Sequence, residues 1–159
     1  FLTDYNTNYK MNPPLRKQTD INAIIAGLQD GTIDTIASDH APHTQLEKDV
    51  EFDKAPNGII GLETSFGLSY FNLVEAGYLS INDLVYKMSI NPRRILGLKE
   101  IHIHSGENAN LTIVNTNTEW IVNKDNFKSK SKNTPFEAMK LKGKVFCTIN
   151  NNQIIKSSL

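Results

Sequence analysis

Thr32-Ile33-Asp34-Thr35-Ile36-Ala37 runs directly into Ser38-Asp39-His40-Ala41-Pro42-His43. The first six residues are short, rich in β-branched side chains and preceded by Gly31, which predicts a strand. Upstream, Ile21, Ile24, Ile25 and Leu28 recur at i, i+3, i+4 and i+7, one stripe of a helix. Thr19 and Asp20 are candidate N-caps, and Gly31 is the expected stop. Helix, glycine turn and strand make the αβ half of a βαβ unit, so the expected class is α/β with a parallel sheet. The strand ends in an acid and two imidazoles, and the C-terminal ends of parallel strands are where α/β barrels hold their active sites.

Outward from this centre, residues 1–18 are polar, hold Pro13-Pro14 and are expected to be loop. Residues 44–58 read as a second long polar loop, and 60–77 as a helix that buries Leu62, Phe66, Leu68 and Leu73 and stops at Gly77. Ser80 with Asp83 predicts a capped helix whose face is Ile81, Leu84, Val85 and Met88. Asn91-Pro92 is expected to break it, leaving a short turn from Arg93 to Leu98. From residue 99 the period changes from 3.6 to 2. Ile101–His104, Leu111–Val114, Trp120–Val122, Lys144–Ile149 and Gln153–Lys156 read as strands, separated by Gly106, Gly143 and Asn150-Asn151-Asn152. The expected division is therefore 1–98 and a small β-rich unit, 99–159.

The 159 residues carry 17 basic and 17 acidic side chains, for zero formal net charge. That balance argues against nucleic-acid or membrane-surface partners. No apolar run approaches the length of a membrane span. The lone Cys147 lies in Val145-Phe146-Cys147-Thr148-Ile149 and reads as a small buried hydrophobe, consistent with a reducing, cytoplasmic setting. The chain opens Phe1-Leu2-Thr3-Asp4, without Met or a leader pattern, and is expected to be a piece of a longer protein.

The Asp39–His43 cluster suits a metal such as zinc or acid/base work, and it also suits a polar loop with an N-capping Asp. His40 is open between orienting Asp39 and simple packing. His102-Ile103-His104 would place two imidazoles on one face of a strand, yet its surroundings favour a bystander pair. Phe66, Tyr70 and Phe71 read as helix packing, and Lys128–Lys132 as a solvated loop.

The run Ser38–His43, with Lys48 and then Ala55-Pro56-Asn57-Gly58-Ile59-Ile60-Gly61-Leu62-Glu63-Thr64, resembles the signature of dihydroorotases. Lys10-Met11-Asn12-Pro13-Pro14-Leu15-Arg16 resembles a second block of that family. Asn91–Leu98, and Lys130–Phe136 with Leu141–Val145, are similar to two more, which are partly shared with hydantoinases and allantoinases. The resemblance implies the C-terminal part of a (β/α)8 metal-dependent hydrolase barrel, followed by a segment of a small β domain. It implies the reversible hydrolysis of (S)-dihydroorotate to N-carbamoyl-L-aspartate, with two zinc ions per complete site and most ligands upstream of this chain. Asp39 matches the family aspartate that binds metal and shuttles the proton. Asn12, His43, Asn57 and Gly58 match substrate-holding positions, although Asn57 stands where an aromatic residue is more frequent. The implied partners are a small-molecule substrate and either a second copy or aspartate carbamoyltransferase. A related cyclic amidohydrolase and a catalytically inactive scaffold are the alternatives.

Overall fold

A computed structural model describes residues 4–157. Phe1-Leu2-Thr3, on which the expectation of a longer parent rests, lies outside the described residues. Helix α1, Gln18–Asp30, bears the expected stripe and ends at Gly31 in the left-handed region, φ 85°. Its N-cap is Lys17, not Thr19 or Asp20. Asp20 instead reaches back from the first turn and accepts from the Lys17 backbone N–H at 3.1 Å.

The segment 32–37 bends at Thr32 and Ile33 and forms no strand, and no parallel pairing occurs among the described residues. β-branched residues favour extended backbone, but a ladder needs a neighbour to accept its hydrogen bonds. Here they go elsewhere. Ile33 N–H donates to Gly27 O and Ile36 N–H to Lys87 O. The buried Lys87 ammonium donates to Ile33 O at 2.7 Å.

The loop expected over 44–58 contains a short helix, α2, Gln45–Lys48. Thr44 N–H donates to Glu47 Oε2 at 2.7 Å and Thr44 Oγ1 accepts from Glu47 N–H at 3.3 Å, a reciprocal cap. These bonds from Thr44 hold the Glu47 carboxyl below its ordinary range. One turn is too short to show an apolar period, so its only trace in the sequence is the Thr-x-x-Glu spacing.

The helix expected over 60–77 begins later, as α3, Ser65–Ser69, and continues as a π-helical stretch, Tyr70–Glu75. Ser80 and Asp83 form the expected cap of α4, Ile81–Val85, with Ser80 N–H to Asp83 Oδ2 at 3.0 Å. Asn91-Pro92 does not break this helix. A π-helical stretch, Tyr86–Ile90, leads into α5, Asn91–Ile95, with Pro92 in its first turn. A proline lacks an N–H and crowds the preceding turn, and a first turn is where both defects cost least.

Strands β1, Leu111–Ile121, β2, Lys140–Asn150, and β3, Gln153–Lys156, form one antiparallel sheet in that order. Ile101–His104, expected as a strand, is irregular and exposed. The β2–β3 hairpin closes on the pair Asn150↔Gln153. Its two loop residues, Asn151 and Asn152, both have positive φ, 48° and 60°. A two-residue hairpin turn of this hand requires that, and Asn tolerates it best after Gly. The β1–β2 register slips between Asn115 and Glu119, opposite Gly143 at φ 84°. A Cβ at Gly143 would strike the Tyr70 ring, and its carbonyl accepts from Trp120 Nε1 at 3.0 Å. Glycine at this bulge lets the helical layer approach the sheet.

The core is Ile60, Trp120, Val122, Phe127 and Leu141, with Leu68, Phe71, Phe136 and Met139 packed against it. It draws on both the helical segment and the sheet. Leu141 is fully buried, worth about 1.5–3 kcal/mol for such a side chain. Phe66 and Tyr70 stack at 6.0 Å within the helical layer, and Cys147 is buried, both as expected. Ile60 ties the loop over 57–61 directly into this core.

Candidate functional site

Three chain segments converge beside Ile60. The first is 38–43. Asp39 is exposed; its Oδ1 accepts from the His40 backbone N–H at 2.7 Å, and Oδ2 has no hydrogen-bond partner among the described residues. Ser38 Oγ donates to the Asp39 carbonyl at 2.7 Å. The carboxylate is thus oriented by local backbone and keeps one oxygen free. His40 is partly buried, and its Nδ1 accepts from Gly61 N–H at 3.3 Å, which places the ring proton on Nε2 when the imidazole is neutral. The sequence left His40 open between orienting and packing. The structure divides the residue: its backbone N–H orients Asp39, and its ring holds Gly61.

The second segment is 57–61. Ala41 N–H donates to Ile59 O at 2.9 Å. Gly58 has φ 129°, and a Cβ there would collide with Ala41; a Cβ on Gly61 would collide with Ser38 and Asp39. Both glycines are needed for this close approach. The third segment is 7–13. Gly58 N–H donates to Lys10 O at 2.9 Å. Buried Lys48, 3% exposed, gives its ammonium to the carbonyls of Thr7 and Pro56 at 3.1 and 2.9 Å, and to Lys10 O at 3.5 Å. Burial pushes its pKa down, and the nearby Lys10 charge adds in the same direction. Three carbonyls replace the water that the ammonium lost, so Lys48 clasps the segment bearing Asn12 to the one bearing Gly58.

Between these segments lies a cleft of about 330 Å³ lined by Asn12, Asp39, Gly58, Gly61, Ser65 and Phe136, among others. Asn12, Asp39 and Gly58, three of the five sequence-nominated residues, meet there. His43 and Asn57 do not line it. They bond to each other, with His43 Nε2 donating to Asn57 O at 3.0 Å and His43 Nδ1 3.9 Å from Glu47. His43 packs directly behind Gly58, since a Cβ on Gly58 would lie 3.3 Å from His43 Nε2. A larger cavity lies elsewhere, a mainly apolar groove of about 960 Å³ between α1 and the helix from Ser65 to Glu75. Ile, Leu and Phe dominate its walls, and its one carboxylate, Glu75, is held by the Lys142 ammonium at 2.6 Å, so the smaller cleft with the free Asp39 oxygen is the candidate site.

Among the described residues no group of three or more His, Cys, Asp or Glu could hold a metal ion. The donor set at the cleft fits one coordination position, the carboxylate of Asp39. His102 and His104 stack on each other at 5.6 Å on an exposed, irregular segment, with His102 3.9 Å from Glu100. Changing both to Gln is expected to leave any activity of the protein within about two-fold, because surface substitutions act within about 0.5 kcal/mol. A steady-state assay showing a tenfold fall in a folded variant would contradict this.

Sequence reasoning passed over Asn133. It is 5% exposed, and its side chain bonds Ala41 O, Gly58 O and His43 N–H. Its one signal was position, inside the Lys130–Phe136 block.

A sequence model of the amidohydrolase family matches residues 9–154. The chain is 49% identical over 152 residues to a dihydroorotase of Acetivibrio thermocellus, covering 96% of this chain and 36% of that protein. It is 53% identical to a dihydroorotase of Ruminiclostridium cellulolyticum (91% and 34%) and 51% identical to one of Clostridioides difficile (97% and 36%). The chain therefore spans little more than a third of the length of the curated relatives it matches. Among solved structures it resembles the L-hydantoinase (dihydropyrimidinase) of Arthrobacter aurescens, with TM-score 0.86, 29% identity, and coverage of 99% of this chain and 37% of that one. The dihydropyrimidinase of Brevibacillus agri gives 0.84 at 21% identity, covering 96% and 34%. No helix among the described residues is long and apolar enough to cross a membrane.

Proposed function

Since this chain belongs to the amidohydrolase family, we propose that it is the part of a dihydroorotase that supplies the proton-shuttling carboxylate and part of the substrate wall. The reaction is the reversible hydrolysis of (S)-dihydroorotate to N-carbamoyl-L-aspartate. The observation that carries the reading is the meeting of Asn12, Asp39 and Gly58 in one cleft, each from a block that resembles dihydroorotases. Identity of 49–53% to proteins of that name, against 29% for the L-hydantoinase, supports dihydroorotate over other cyclic amides.

In the hydrolytic direction, an activated water oxygen attacks the ring carbonyl carbon and the ring C–N bond breaks. Asp39 accepts the proton of the attacking oxygen at Oδ2 and returns it to the leaving nitrogen. His40 N–H keeps Oδ1 occupied, so the proton travels through one defined oxygen. Asp39 is also the one residue of the cleft that could ligate metal, through the carboxylate oxygen that does not carry the proton; a bound pair of zinc ions, held mainly by residues beyond this chain, would supply hydroxide near neutral pH. Asn12 donates its side-chain amide to substrate oxygens. His43 acts from behind Gly58 by holding Asn57 in place. In the parent fold, 1–98 belongs to a (β/α)8 barrel and 99–159 to a small β domain.

Asn12→Ala and His43→Ala in the complete parent are each expected to raise KM for dihydroorotate about five- to tenfold, the loss of roughly one net hydrogen bond. Bound metal should be unchanged. Loss of an ion from His43→Ala, by elemental analysis, would make it a ligand and overturn its assignment.

A further inference from the structure

We propose that Asn133 is a positioning residue for substrate binding, one buried amide that sets the 41–43 loop against the 57–61 loop. Its Nδ2 donates to Ala41 O at 2.9 Å and to Gly58 O at 3.2 Å, and its Oδ1 accepts from His43 N–H at 3.2 Å. Its own carbonyl accepts from Ile60 N–H at 3.1 Å. All three side-chain bonds reach residues 75 to 92 positions away, and all three end on backbone of the two loops that hold the candidate substrate groups. Two carbonyls face one end of the amide and an N–H faces the other, so the orientation of the side chain is dictated by its surroundings.

No other side chain meets this demand. Asp has the shape but no donors, and would set its oxygens against two carbonyls. Gln carries the same groups on a longer arm. Leu or Ala would leave two carbonyls and an N–H buried without partners, and the loops would move apart to reach water. Asn133 does not line the cleft, so it acts on substrate only through Gly58 and the loop from Asp39 to His43. Gly58 and Ala41 already approach as closely as a missing Cβ allows. A shift of either loop therefore changes the cleft wall directly. The inference rests on the substrate-binding reading of this cleft.

The test uses the complete parent enzyme and steady-state kinetics with dihydroorotate, at a temperature where each variant is folded. Asn133→Asp is expected to raise KM about tenfold with kcat within about threefold and zinc content unchanged, because the binding wall is displaced while the carboxylate stays. Trp120→Phe is the control for general destabilisation. It removes the bond to Gly143 O in the core, so it should lower the unfolding midpoint and leave KM within about twofold. If Asn133→Asp does not fold, Asn133→Ser takes its place, with a KM rise of about three- to tenfold expected. An unchanged KM in the folded variant, or an equal rise in Trp120→Phe, overturns the proposal. His43→Ala separates the two levels. A raised KM there with an unchanged KM at Asn133 sinks this proposal alone, whereas an unchanged KM in His43→Ala with a raised KM at Asn133 removes His43 from the reading and keeps Asn133 as the positioning group.

Discussion

Replacing Asp39 by Asn in the complete parent enzyme is expected to lower dihydroorotate turnover by at least about 100-fold, the low end of what a positioned general base contributes. Asn is nearly isosteric with Asp. Its amide oxygen can still accept from the His40 N–H that now binds Oδ1 at 2.7 Å, so the local geometry survives. The change falls on the other atom. Oδ2 has no partner among the described residues and is the one position from which a proton can be taken up and released into the cleft. An amide nitrogen there has no basic lone pair at working pH. Packing should be little disturbed, since Asp39 is exposed. The measurement is turnover of the purified variant, with metal content determined on the same sample. Full turnover with metal retained would remove Asp39 from the chemistry and with it the proposed mechanism.

Residues 1–159 produced alone are expected to show no measurable turnover and to hold no stable pair of metal ions. Two observations lead there. The first is the donor set, since a catalytic zinc usually takes three protein ligands and the cleft provides one carboxylate oxygen. The second is the apolar groove. Ile21 and Ile24 of α1 are 41% and 47% exposed, and Leu68, Phe71 and Leu73 line the opposite wall. Full burial of such side chains is worth about 1.5–3 kcal/mol each, and the isolated chain forgoes that at several positions. Aggregation or partial unfolding is the expected behaviour in solution. Elemental analysis and a dihydroorotate assay on the isolated chain decide it. Two tightly held zinc ions per chain, or turnover near that of the parent, would mean that the site is built from residues other than Asn12, Asp39 and Gly58.

Local chemistry made part of this fold readable in advance. α1 follows from its isoleucine stripe and Gly31, the α4 cap from Ser80 and Asp83, and β3 from the residues after an Asn-Asn turn. Each depends on contacts within a few positions, so composition and spacing suffice. The Asp39–His43 cluster was visible for the same reason, because its acid and imidazoles are close together in the chain. What spacing could not supply was pairing. Whether 32–37 becomes a strand depends on a neighbour beside it, and its hydrogen bonds turn instead to Gly27 and Lys87. Whether Pro92 ends a helix depends on the turn before it, here π-helical. The division of labour within His40, backbone to Asp39 and ring to Gly61, is set by a residue 21 positions away. Asn133 is the extreme case. Its place inside the Lys130–Phe136 block is the only mark it carries in the chain, and its role exists only once Ala41, His43 and Gly58 are brought around one buried amide. Hydrogen bonds in a buried site are decided by which groups are left without water, and that is a property of the assembled structure, not of any stretch of residues.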